Sequence, residues 1–172
     1  MKKLISLVAV LSIFFTNLTV SQAVITNPEL KTSVVQIWSQ ETDGNFYTGS
    51  GVNISTDALI LTAAHVVIDS TTNLPSENLV ICVTYNEYTP PSCEYSGVVY
   101  DYDPDLDLAL ITPQYLRDEN GNNYGEVLTN EEIQAIGLPY VDIADYEPSL
   151  GDEVTIIGYP DAVGSTNLTL TN

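Results

Sequence analysis

A nineteen-residue stretch, Gly49 to Val67, constrains the chain more than any other. Val52 to Ile54 and Leu59 to Leu61 are apolar, β-prone runs. Ser55, Thr56 and Asp57 separate them, residue types that form turns by bonding their own backbone, so the segment predicts a β-hairpin. Gly49 and Gly51 flank Ser50 where a strand must bend or admit another backbone. Thr62, Ala63 and Ala64 then lead into His65, the only histidine, which places the imidazole at a strand end beside a tight turn. Such a place suits a proton carrier.

The rest of the chain is written in the same style, as short β-prone runs bounded by Gly, Pro, Asn and Asp, and it reads as all-β. Ser33 to Trp38 predicts a first strand, Glu41 to Asn45 a polar turn, and Asp69 to Asn78 a loop. Leu79 to Tyr85 and Glu94 to Tyr100 are two further strands joined through Pro90 and Pro91. Pro113 to Gly125 reads as loop. Thr129 or Asn130 is placed to cap a short helix over Glu131 to Ile136, with Gly137 ending it. With 44% hydrophobic residues and no internal repeat, the composition is that of a chain able to bury a core.

Lys2 and Lys3, the uncharged run Leu4 to Phe15 and the small residues Ser21 and Ala23 make the three parts of a secretory signal. The apolar run is shorter than the roughly 20 residues that span a bilayer. The expected location is therefore secreted or periplasmic, with no stable membrane association once residues 1–23 are removed. Beyond Ala23 only Lys31 and Arg117 stand against 23 carboxylates, a formal charge of −21. Nucleic acid is a poor partner for such a surface, because binding phosphates relies on Lys and Arg. In an exported chain, Cys82 and Cys93 at short separation read as a disulfide clamping a hairpin.

Asp101 to Asp107 alternates four carboxylates, and the chain then turns wholly apolar through Leu108, Ala109, Leu110 and Ile111. Asp107 is thereby drawn toward the interior, where an ionised group needs a paired donor. His65, 42 residues earlier, is the natural one. Asp101, Asp103 and Asp105 read as a solvated acidic loop rather than a Ca²⁺ site. One histidine without clustered partners gives zinc little support, and no cofactor is implied.

Two words carry a family resemblance. Leu61-Thr62-Ala63-Ala64-His65-Val66 resembles the histidine motif of chymotrypsin-fold, trypsin-like serine proteases, and Asp107-Leu108-Ala109-Leu110-Ile111 resembles their aspartate motif. Gly49-Ser50-Gly51-Val52 and Leu150 to Pro160 look most like the bacterial HtrA or Deg-type branch. The resemblance implies a double β-barrel, with a first barrel over 24–112, a connection over 113–149 and the start of a second barrel over 150–172. It also implies catalytic roles for His65 as base and Asp107 as its orienting partner, polypeptide substrates, and a nucleophilic serine within a Gly-x-Ser-Gly-Gly word. No such word occurs in the chain. Ser165 lacks the following glycines and reads as structural, as does Ser50. The expectation is thus the N-terminal part of an exported serine endopeptidase, inactive as it stands. The alternative is a catalytically dead relative that binds peptides or a partner.

Overall fold

A computed structural model of the chain describes residues 28–86, 88–160 and 169–171. Residues 1–23, read as the export signal, and Ser165 lie outside them. A short helix α1 (Pro28–Thr32) precedes strands β1 (Val34–Gln40), β2 (Phe46–Asn53) and β3 (Ile60–Thr62). A one-turn helix α2 (Ala64–Val67) follows, then β4 (Asn78–Val83), β5 (Ser92–Asp103), β6 (Leu108–Arg117) and β7 (Asn123–Tyr124). Helix α3 (Asn130–Ile136) and strands β8 (Ile156–Gly158) and β9 (Thr169–Thr171) complete the described elements.

The strands run in the order β3-β2-β1-β4-β5-β6-β7, and β3 also pairs with β6. That last pairing closes β1 to β6 into a six-stranded antiparallel barrel, the all-β first barrel of a chymotrypsin-like fold. Alternation explains its interior, since side chains two residues apart share a strand face. Val35 and Ile37, Leu79, Ile81 and Val83, and Ala109 and Ile111 all join one core cluster with Ile60 and Tyr95. Each is at most 5% exposed.

The predicted hairpin is present, with Val52 opposite Leu61 and Asn53 opposite Ile60. Cys82 and Cys93 form a disulfide with an S–S distance of 1.99 Å. It joins β4 to β5 where their register shifts between Ile81 and Val83. Helix α3 is capped at Thr129, whose hydroxyl accepts the Glu132 N–H while the Glu132 carboxylate accepts the Thr129 N–H. Gly137 ends it in the left-handed conformation at φ 66°.

The segment expected as loop, Pro113 to Gly125, is loop only between two strands, over 118–122 and again at Gly125. β6 continues to Arg117, past the barrel boundary placed at residue 112, and pairs with β7. Pro113 stands opposite Gly97, beside a slip in the β5–β6 register between Ser96 and Gly97 that leaves Gln114 as the extra residue of a bulge. A second slip lies between Val99 and Asp101, so the twelve-residue β5 can bend around the barrel.

The loop after α2 is organised by Asp69, a buried carboxylate at 3% exposure. It accepts the backbone N–H groups of Thr42 at 2.6 Å, Thr71 at 2.8 Å and Thr72 at 2.9 Å. Those donors, Thr42 first, hold its pKa down at about 2 against an ordinary 3.8. Because the folded value is the lower one, the stabilisation is complete above 3.8 and is lost as pH falls towards about 2. Asp69→Asn should therefore lower stability at neutral pH and flatten the acid limb of a urea-denaturation series in that window. An unchanged limb would show that the clamp does not contribute.

Candidate active site

His65 is the second residue of α2, not the end of β3 as the sequence suggested. The buried neighbours Ala64 and Val67 anchor the helix turn against the core and leave His65 on its outer side. β3 supplies the approach, because Thr62 at its end pairs with Ala109 of β6. That pairing brings the start of α2 beside the turn before Leu108.

Asp107 occupies that turn in the left-handed region, at φ 54°. An aspartate accepts this conformation more readily than most residues. Its backbone and side chain are both committed to α2. The carbonyl oxygen accepts the Ala64 N–H at 3.2 Å. Oδ1 accepts the His65 N–H at 2.9 Å, and Oδ2 lies 2.7 Å from His65 Nδ1. The backbone N–H of His65, then its ring, hold the Asp107 carboxyl below the usual carboxylate range.

The two residues meet, but not in the interior. The His65 and Asp107 side chains are 73% and 51% exposed. The expectation of a buried aspartate took Leu108 to Ile111 as wholly inward, whereas of these four only Ala109 and Ile111 face the core. Leu108 is 45% exposed, so the chain enters the barrel at Ala109, one residue later than the apolar run suggests. With Oδ2 at Nδ1, the neutral imidazole carries its proton on Nδ1 and presents Nε2 as the acceptor.

The acidic neighbours build the turn. Asp103 Oδ1 accepts the N–H groups of Asp105 and Leu106 at 2.9 and 3.0 Å. Among the described residues no group of three or more His, Cys, Asp and Glu is placed to hold a metal ion.

Three residues that position the site carried no clear signal in the sequence. Asn53, 1% exposed, donates to the Pro139 carbonyl at 3.0 Å and fastens the connection after α3 to the barrel. Ser50 Oγ accepts the Tyr159 N–H at 2.7 Å. Asp69 clamps the loop leaving α2. A polar residue inside the otherwise apolar Val52 to Ile54 was the available hint for Asn53.

As the sole histidine, His65 can be followed without assignment ambiguity. Its ring ¹⁵N shifts should report the Nδ1–H tautomer in the neutral ring, and Asp107→Ala should shift the population toward Nε2–H. Identical shifts in the two proteins would contradict the pairing.

A model of the trypsin-like peptidase domain matches residues 49–172. Among solved structures, the fold is similar to that of the serine endoprotease from Yersinia pestis, at TM-score 0.54 and 22% identity. That match covers 83% of this chain and 40% of the other. It is also similar to the Rv3671c protease from M. tuberculosis in its active form, at TM-score 0.55 and 25% identity, covering 87% of this chain and 51% of the other. The chain thus spans about half or less of the length of these proteases. No curated protein matches it. The histidine and aspartate words, the closed barrel and the match from Gly49 onward lead to one conclusion: the chain belongs to the trypsin-like peptidase domain family.

Proposed function

We propose that the chain supplies the proton-handling half of an exported serine endopeptidase. The single observation that carries this reading is the double grip of Asp107 on His65, at the backbone N–H and at Nδ1. In the proposed reaction a serine attacks the scissile carbonyl while His65 Nε2 takes its proton. The same nitrogen then gives that proton to the leaving amine, and water completes hydrolysis of the acyl-enzyme. Asp107 keeps the tautomer and stabilises the imidazolium that forms on the way.

Because no Gly-x-Ser-Gly-Gly word occurs in these 172 residues, we assign the nucleophile and the oxyanion donors to sequence outside them. On this reading the chain alone does not turn over peptides. The domain division is a first barrel, a connection and the opening of a second barrel, with residues 1–23 as a removed signal. The Cys82–Cys93 disulfide supports an oxidising destination, secreted or periplasmic. Among the described residues no helix is long and apolar enough to cross a membrane.

The test uses the full-length gene product. A fluorophosphonate probe should label one serine outside residues 1–172, and His65→Ala should abolish labelling while lowering peptide turnover by roughly 10⁶-fold. Lack of labelling in the unmutated protein would leave a peptide- or partner-binding relative as the better account.

A further inference from the structure

We propose that Ser50 is a positioning residue, whose hydroxyl ties the β8–β9 sheet to the strand pair presenting His65 and so sets that sheet's place relative to the imidazole. The inference rests on the reading of His65 as a base. Ser50 is held in both directions. Its Oγ accepts the Tyr159 backbone N–H at 2.7 Å, across 109 residues of chain. Its carbonyl accepts the Thr62 hydroxyl at 2.8 Å, three residues before His65.

The residues around Ser50 leave it little play. A Cβ on Gly49 would stand 2.5 Å from Val66 Cγ1, and one on Gly51 would stand 2.6 Å from Ile60 Cγ2. β2 therefore lies directly on Val66, the residue next to His65. On the far side, a Cβ on Gly158 would come within 2.9 Å of Ser50 Oγ, so the opening strand of the second sheet is equally close. Tyr159 is 3% exposed, and its hydroxyl sits 2.6 Å from Thr84 Oγ1. The Thr84 contact fastens the side chain to the end of β4, while the Ser50 contact fastens the backbone to the histidine hairpin.

This arrangement has a consequence for catalysis. A nucleophile supplied after β8 inherits its position from β8, and proton transfer requires it within hydrogen-bond reach of Nε2. A misplacement of about 1 Å can cost about 100-fold in rate. The hydroxyl of Ser50 is thus a registration point between the base and whatever follows β8. It touches no reacting atom.

The experiment compares full-length wild type with Ser50→Ala, Ser50→Thr and Gly158→Ala. It reads exchange of the Tyr159 amide proton, kcat and KM for a peptide substrate, and the pH dependence of kcat/KM. Ser50→Ala should speed Tyr159 exchange about tenfold and lower kcat at least about tenfold, with KM within about twofold. The pH midpoint should not move, because the Asp107–His65 pair is untouched. Ser50→Thr should restore both readouts, and Gly158→Ala should reproduce the loss.

Faster Tyr159 exchange with unchanged kcat would overturn the proposal. So would a kcat loss accompanied by faster exchange throughout the barrel, at Ile37 and Ile81 as much as at Tyr159. If the unmutated protein shows no hydrolysis, the protease reading falls by itself. Tyr159 exchange then decides the latch alone, and an unchanged rate in Ser50→Ala refutes it.

Discussion

One residue in the left-handed conformation holds the site together. At φ 54°, Asp107 directs its carbonyl to the Ala64 N–H and its carboxylate to both the backbone and the ring of His65. Three bonds from a single turn residue bind the first turn of α2 to the β5–β6 hairpin. The barrel makes this possible, because the β3–β6 pairing that closes it ends with Thr62 opposite Ala109. Closure of the sheet and assembly of the pair are the same event in this topology.

The exposure of the pair limits what it adds to stability. Ion pairs open to solvent contribute little to stability, since water and salt screen them. The barrel's stability rests on its apolar interior, on the disulfide between β4 and β5, and on satisfied buried groups such as Asp69 and Asn53. On the proposed reading, the Asp107–His65 contact serves alignment more than stability. Its backbone bonds fix the geometry, and the exposed Nε2 is left free to face a reacting partner.

Much of this was legible in the residues. The turn residues Ser55, Thr56 and Asp57 mark the hairpin, the Thr129 and Gly137 pair brackets the helix, and the histidine and aspartate words identify two residues that do meet. What misled was the treatment of apolar runs as uniformly inward. Leu108 to Ile111 alternates like any barrel strand, so Asp107 stays half exposed. Pro113 suggested a break, yet it keeps its place opposite Gly97 and β6 runs on through the neighbouring register slip to Arg117. Long-range polar contacts, such as Ser50 with Tyr159, depend on how distant strands stack. Local patterning carries no record of them.

The central claim is that Asp107 acts through His65, not beside it. A double-mutant cycle on kcat/KM of the full-length protein, with His65→Ala, Asp107→Asn and the pair, tests it most directly. The account predicts that the double mutant is no slower than His65→Ala, because the aspartate has nothing left to align. Losses that multiply would contradict it, and would mean that the two residues serve separate steps.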